Sequence, residues 1–213
     1  MKKVLTTLAF ITFAIVANAQ FTVQLGYNNV NMETTFTPTI AGVNDTTVFD
    51  GFYLGATYNF SIAGNFGIEP GIRASYVNWN EEITTLGITA KTKSELVNIS
   101  IPVMLNYRFD FGKDMHLTLY AGPTLDYGLV AKTTNEVSGS KTTENLFEDD
   151  GTGLYLNKLD ILAETGAGFR WSNWGVQFRI AWGFLNLAHN PDNSPITVDV
   201  ASTKMMIGFS YTF

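Results

Sequence analysis

Large apolar residues alternate with small or polar residues in eight separate stretches of the chain. The pattern is clearest near the end, where every second residue from Met205 to Phe213 is large and apolar. A period of two residues is typical of a β-strand with one apolar face and one polar face. The eight stretches are near the length of ~10 residues with which a tilted strand crosses a bilayer. The eight stretches span residues 21–28, 52–60, 66–79, 96–109, 116–131, 158–171, 174–187 and 198–213.

The segments between these stretches are alternately short and long. The short ones are rich in Gly, Asn, Asp and Ser, which favour tight turns, and they cover residues 61–65, 110–115 and 172–173. The long, polar ones cover residues 31–48, 80–95, 132–157 and 188–197. Short turns at one end and long loops at the other are typical of outer-membrane barrels. We therefore predict an all-β fold: a single antiparallel up-and-down transmembrane β-barrel of about eight strands, with short periplasmic turns and long extracellular loops.

The residues between the apolar positions form a second face, made of glycines and charged side chains. A barrel of about eight strands has an interior just wide enough for side chains, so small residues there leave room for large ones. Charges in such a lumen must pair or stay hydrated. A salt-bridged structural interior and a pore-lining network therefore both remain open. The charged residues predicted to face inward are Glu69, Arg73, Arg108, Asp126, Glu164, Arg170, Arg179 and Lys204.

The beginning of the chain has the pattern of a secretory signal peptide. Lys2 and Lys3 precede an apolar run over residues 4–16, and Ala17 and Ala19 frame a small-residue cleavage site. The run is shorter than the ~17–25 residues of a membrane-spanning helix. We predict a cleaved signal peptide at residues 1–19 and one outer-membrane barrel domain at 20–213. The expected location is the outer membrane of a Gram-negative cell.

Composition excludes several kinds of site. The chain has no cysteine, so disulfides and thiolate metal sites are excluded. Its formal net charge is −6, and loss of Lys2 and Lys3 with the signal peptide makes the mature chain more acidic, which argues against a nucleic-acid partner. No P-loop, GxSxG or HExxH motif is present, and the glycine-rich residues 166–168 open no helix. We therefore predict no cofactor.

Catalytic candidates are few. His189 lies in the last long loop near Asp192 and Asp199 and could form a rim site, but a general base needs a positioned partner, which proximity in sequence does not provide. An ordinary loop histidine is the alternative. The acidic residues 148–150 could bind Ca²⁺, yet they lack the alternating ligand spacing of an EF-hand, so a solvated acidic loop is favoured. We predict no enzymatic activity.

Four segments of the chain resemble the PorT-like outer-membrane β-barrel family. Residues 98–109 (NISIPVMLNYRF) resemble its EIPLLLKYRF strand, and residues 119–127 (LYAGPTLDY) its AGPYLGY strand. Residues 160–169 (DILAETGAGF) and 208–213 (GFSYTF) resemble its DFGLVLGAGF segment and GLGYRF ending. The resemblance implies a porin-like barrel without a residue-level active site; some members help to assemble a secretion apparatus. Proline is avoided inside sheets, so we expect a bulge or an unpaired position at Pro102 and Pro123.

These patterns lead to three hypotheses for function. The leading one is an integral outer-membrane barrel with a structural, binding or assembly role and no catalysis. The alternatives are a narrow porin-like channel for small solutes and, behind it, an outer-membrane enzyme with a rim site around His189. Expected partners are outer-membrane lipid, the barrel-insertion machinery, and an unidentified extracellular or envelope protein. Phe213 resembles the terminal aromatic signal that the insertion machinery reads during assembly.

Overall fold

The computed structural model describes residues 20–38, 45–85, 88–148, 155–191 and 196–213. Within these ranges, no helix is long and apolar enough to cross a membrane. The signal peptide predicted at residues 1–19 lies outside the described residues. The strands are β1 (Gln20–Thr37), β2 (Asp45–Ala63), β3 (Phe66–Thr85), β4 (Ile88–Asp110), β5 (Met115–Val137), β6 (Ser140–Asn145), β7 (Tyr155–Leu156), β8 (Leu159–Trp171), β9 (Trp174–Gly183), β10 (Ala188–His189) and β11 (Thr197–Thr212).

Eight of these strands form a closed antiparallel barrel in sequence order. β1 pairs with β2, β2 with β3, β3 with β4, β4 with β5, β5 with β8, β8 with β9, β9 with β11, and β11 returns to β1. β6 pairs with the end of β5, and β7 pairs with β10. Tight connections follow β2, β4 and β8 at what we call the short-turn end; the opposite end is the long-loop end. The predicted all-β up-and-down barrel of eight strands is confirmed.

The strands at the long-loop end are longer than the sequence pattern predicted. β3 continues to Thr85 and β4 begins at Ile88, so most of the loop expected at residues 80–95 is a hairpin. The loops expected at 31–48 and 132–157 are likewise strand over much of their length. The strands extend into these segments because cross-strand pairs support the exposed ribbons. One such pair joins the hydroxyls of Thr84 and Thr89 at 3.1 Å.

The polarity of the barrel wall reverses partway along the strands. One continuous row of outward-facing residues is apolar or aromatic: Tyr27, Phe52, Tyr76, Val97 and Val130. The next outward-facing row toward the long-loop end, which we call the boundary row, is polar: Asn29, Asp50, Asn78, Glu95 and Lys132. At the level of the boundary row the inward-facing residues are apolar, and they form a buried cluster of Val30, Phe49, Val77, Leu96 and Ala131. The boundary row therefore marks one edge of the lipid-facing apolar band.

Aromatic residues mark the other edge of the band, at the short-turn end. The rings of Phe66 and Tyr107 lie 4.6 Å apart, and those of Trp174 and Tyr211 lie 4.9 Å apart. Phe213 stands 5.0 Å from Tyr211 and is 72% exposed. Such aromatic girdles are typical of the interfaces of membrane barrels.

Pro102 and Pro123 each coincide with a gap in a hydrogen-bonded ladder. The β3–β4 pairing stops at Pro70–Val103 and resumes at Arg73–Ser100 in the same register, which leaves Pro102 out. The β4–β5 pairing skips Pro123 in the same way. Proline has no backbone N–H to donate, and the expected unpaired position is confirmed at both prolines.

Candidate functional site: the charged interior of the barrel

Arg179 of β9 lies at the centre of the barrel interior and is 1% exposed. Its guanidinium donates to Oε1 of Glu69 at 3.1 Å, to Oε1 of Glu164 at 3.2 Å and to Oε1 of Gln177 at 3.0 Å. The ring of Tyr120 covers it, with 4.3 Å between Cζ and the ring centroid. A buried charge is tolerated when it is paired and hydrogen-bonded, and Arg179 meets both conditions.

Arg73 of β3 completes this arrangement from the opposite wall. Its Nη2 lies 2.9 and 3.1 Å from the two carboxylate oxygens of Glu164. The hydroxyl of Thr124 donates to the same carboxylate at 2.9 Å. The two arginines and two glutamates have a formal net charge of zero, so the four side chains neutralise one another inside the barrel. We call these four residues the central layer: Glu69, Arg73, Glu164 and Arg179.

A second ion pair lies closer to the long-loop end. Nζ of Lys204 stands 2.6 Å from Oδ2 of Asp126, and both residues are buried. The Asp126 carboxylate also accepts hydrogen bonds from Ser100 and from Nδ2 of Asn98. The charge of Asp126 is therefore held by three donors from two other strands, β4 and β11, which ties both of them to β5 across the lumen.

Asp160 is an interior carboxylate that the sequence analysis missed. It is 3% exposed, sits opposite Asp126 in the β5–β8 ladder and accepts a hydrogen bond from Ser202 at 2.7 Å. Within the described residues it has no ion pair. A signal for it was available, because Asp160 lies four residues before Glu164 and so shares its inward-facing parity on β8.

Arg108 and Arg170, the other two arginines predicted to face inward, do not join the central layer. They lie toward the short-turn end, where Nε of Arg108 is 2.9 Å from Oδ1 of Asp110. Nη1 of Arg170 donates to Oε1 of Gln20 at 2.8 Å. The eight predicted lumen charges thus divide into the central layer, the Lys204–Asp126 pair and this peripheral pair of arginines.

Two small spaces lie in the interior, one on either side of the central layer. A cavity of about 40 Å³ toward the short-turn end is lined by Gln24, Glu69 and Arg108, among others. A cavity of about 30 Å³ toward the long-loop end is lined by Asp126 and Lys204, among others. Arg73, Glu164 and Arg179 line neither. Each volume is comparable to that of about one water molecule, and the packed side chains between them separate the two.

The mouth at the long-loop end is filled by apolar side chains. Phe147, which follows β6, packs with Leu146 and Leu156 against the buried apolar cluster above the lumen. The Phe147 ring lies so close to Gly128 that a Cβ there would overlap it. The lumen is thus covered by an apolar layer above the charged one. Nothing in the alternation pattern indicated that a residue of the third loop would enter the barrel.

Among the described residues, the other candidates are not brought together into a catalytic or metal site. The His189 ring stacks on Tyr155 at 4.3 Å. Asp199 instead accepts a hydrogen bond from Nδ2 of Asn186 at 2.7 Å and makes no ion pair with His189. Asp192 and the acidic residues 149–150 lie outside the described residues. In the part of the chain that the structure describes, no three acidic, His or Cys residues are grouped so as to hold a metal ion.

Comparison with known proteins gives one family match and several structural likenesses. The family described as "Outer membrane protein beta-barrel domain" has a sequence model that matches residues 11–189. No curated protein sequence matches the chain. The chain is similar to Ail, the attachment invasion locus protein of Yersinia pestis, solved with the heparin analogue sucrose octasulfate: 15% identity, 92% of this chain, 99% of that chain, TM-score 0.49.

Two further solved structures are similar at comparable levels. Neisserial surface protein A is 13% identical over 91% of this chain and 97% of its own, with a TM-score of 0.39. The outer membrane enzyme PagL is 13% identical over 86% of this chain and 98% of its own, with a TM-score of 0.40. At such identities and TM-scores the likenesses do not indicate what this chain does.

Proposed function

Since the chain belongs to the outer membrane protein β-barrel family, we propose that it is an integral outer-membrane protein with a structural, binding or assembly role, without solute conduction and without catalysis. The barrel provides the anchor, because a closed antiparallel ring satisfies every backbone group that faces lipid. The ribbons at the long-loop end provide the surface that meets other molecules. Loops and loop-end ribbons carry binding specificity more often than the scaffold that positions them.

The single observation that carries this proposal is the packed central layer. Arg179 is almost fully buried and uses its guanidinium on Glu69, Glu164 and Gln177, so it is a cross-link between walls and not a pore lining. Eight strands leave an interior that side chains can fill. His189 stacks on the ring of Tyr155, and among the described residues it has no acidic partner.

Orientation and export follow from the same proposal. Residues 1–19 act as a cleaved signal peptide, the short-turn end faces the periplasm, and the long-loop end faces the outside of a Gram-negative cell. The resemblance of residues 98–109 and 119–127 to the PorT-like family supports membership of that family and a role in assembling a secretion apparatus. The role of Phe213 as a signal for the insertion machinery stays a prediction, which the insertion yield of a Phe213→Ala chain measures.

Single-channel recording tests the absence of conduction. The wild-type protein, reconstituted in a planar bilayer, is expected to give no stepwise current, because the central layer blocks the lumen. The double variant Arg73→Ala/Glu164→Ala removes one charge of each sign and leaves the net charge unchanged. It is expected to create a water path and measurable current steps.

The readout needs proof that the protein is folded in the bilayer. Unboiled samples of both proteins should migrate differently from boiled ones on an SDS gel, as folded barrels do. Regular current steps from the folded wild-type protein would contradict the proposal and favour a narrow channel.

A further inference from the structure

Two lysines and one glutamate form a compact cluster on the outer wall of β4 and β5. Nζ of Lys93 lies 2.9 Å from Oε1 of Glu95, and Nζ of Lys132 lies 3.0 Å from Oε2 of the same carboxylate. The hydroxyl of Tyr76 donates to Oε1 at 2.7 Å. Three donors on one carboxylate favour its ionised form. Two ammonium groups share one carboxylate, and the cluster carries one unneutralised positive charge.

The height of this cluster on the barrel matches the lipid headgroups. Glu95 and Lys132 belong to the boundary row, directly beyond the apolar row that contains Tyr76, and Lys93 lies one outward-facing row farther out. Successive rows are separated by ~7 Å along a strand, or ~5 Å along the membrane normal for a strand tilted by ~40°. The headgroup region is ~5–8 Å thick on each side of the hydrocarbon core. Both lysines therefore lie within the headgroup layer.

The nearby wall of β1 and β2, which β3 separates from β4, has a similar arrangement without the lysines. Asp50 of β2, also in the boundary row, accepts hydrogen bonds from Tyr27 and from Nδ2 of Asn29, the latter at 2.8 Å. It has no ion pair among the residues that the structure describes. A tyrosine–carboxylate pair is thus common to both walls, and the lysines change the local charge from −1 to +1. The positive charge is a particular feature of the β4–β5 wall.

The two lysines keep donors available for a ligand. Their side chains are 48% and 44% exposed, and an ammonium group has three N–H donors, of which Glu95 takes one from each lysine. Below them the wall continues as the apolar surface of Val97 and Val130, where acyl chains run. Basic residues beside a lipid-embedded surface attract anionic lipid.

We propose that Lys93 and Lys132 bind the phosphate of an anionic lipid headgroup in the leaflet at the long-loop end. The lipid's acyl chains pack along Val97 and Val130, and the lipid phosphate shares the two ammonium groups with the carboxylate of Glu95. This site goes beyond the proposed function, and it depends neither on a closed lumen nor on the identity of a protein partner.

Lipid retention in native mass spectrometry tests the site. The full-length folded protein is equilibrated in mixed micelles with equal amounts of phosphatidylglycerol and phosphatidylcholine of the same acyl chains. The wild type is expected to retain phosphatidylglycerol preferentially. Lys93→Gln and Lys132→Gln should each reduce the preference about fivefold, the effect expected for one basic residue near an anionic surface.

Glu95→Gln is the discriminating variant. It removes the carboxylate that competes with the lipid phosphate, raises the cluster charge from +1 to +2 and should increase the preference for phosphatidylglycerol. A purely structural role of the cluster predicts a decrease or no change. Lys141→Gln is the matched control, because Lys141 pairs with Glu136 at 3.3 Å outside the cluster, and it should leave the preference unchanged.

Three results would overturn the proposal. They are an unchanged preference in the folded double variant Lys93→Gln/Lys132→Gln, a reduced preference in Glu95→Gln, and loss of the wild-type preference when inorganic phosphate replaces chloride at equal ionic strength. The last would identify a site for free phosphate. Retention of the preference in Lys93→Arg/Lys132→Arg, which keeps both charges, is the result that the proposal expects.

Discussion

Replacing Arg179 by alanine is expected to lower the free energy of unfolding by about 3–5 kcal/mol, the usual effect of removing one partner from a buried ion pair. The change leaves the carboxylates of Glu69 and Glu164 in the lumen without the cation that both contact at 3.1–3.2 Å. It also removes the group that packs against the Tyr120 ring. Guanidinium unfolding of the barrel in lipid vesicles, followed by tryptophan fluorescence, measures the loss.

Arg170→Ala is the matched control for this prediction. Arg170 is also an inward-facing arginine, but it lies toward the short-turn end, is only partly buried and donates to the neutral side chain of Gln20. Its removal leaves no buried carboxylate unpaired. We therefore expect the free energy of unfolding to fall by less than about 1 kcal/mol, in the range of a single net hydrogen bond. Equal, small losses in Arg179→Ala and Arg170→Ala would show that the central layer contributes little to stability.

The second large effect is expected at the seam where β1 meets β11. Gly26 pairs directly with Gly208, and Tyr53 of β2, 1% exposed, lies across both. A Cβ on Gly26 would overlap the carbonyl oxygen of Ile207 and would lie 2.5 Å from Cα of Gly208 and 2.8 Å from the Tyr53 ring. Because two of these atoms are backbone, Gly26→Ala should cost about 1–3 kcal/mol through overpacking. The same unfolding assay measures it.

Gly55→Ala is the control for a lumen glycine with more room. A Cβ there would lie 3.1 Å from the carbonyl oxygen of Ile72 and 3.4 Å from Cγ of Arg73. Alanine also favours an ordered strand over glycine by roughly 0.5–1 kcal/mol, so the net change should be small. A Gly26→Ala barrel as stable as wild type would mean that the β1–β11 seam is not closely packed.

The eight strands could be predicted because lipid on the outside and a narrow lumen on the inside impose a strict period of two. The same period placed Glu69, Arg73, Glu164 and Arg179 on one face. It did not reveal which charges meet, because that depends on the stagger between distant strands. Arg73 contacts Glu164 across the lumen, although the two residues belong to non-adjacent strands of the ring.

The ends of the strands were harder to predict. Val30, Phe49 and Val77 break the pattern because they are apolar at inward-facing positions, and Val30 and Phe49 lie outside the strands that the alternation predicts. This change of parity is physical: beyond the lipid, the apolar residues must turn to the interior to leave water. The change from the outward-facing Tyr27 to the inward-facing Val30 therefore marks the edge of the membrane along β1.

Cysteine accessibility tests the central claim, that the lumen is closed by its own side chains. The chain has no cysteine, so a single introduced thiol reports one position. Thr124, 1% exposed and bonded to Glu164, lies in the middle of the lumen, and Thr143 lies on the exposed ribbon β6. In the folded protein a water-soluble thiol reagent is expected to label Thr143→Cys but not Thr124→Cys until the barrel is unfolded in SDS. Labelling of folded Thr124→Cys at the rate of Thr143→Cys would contradict a closed lumen.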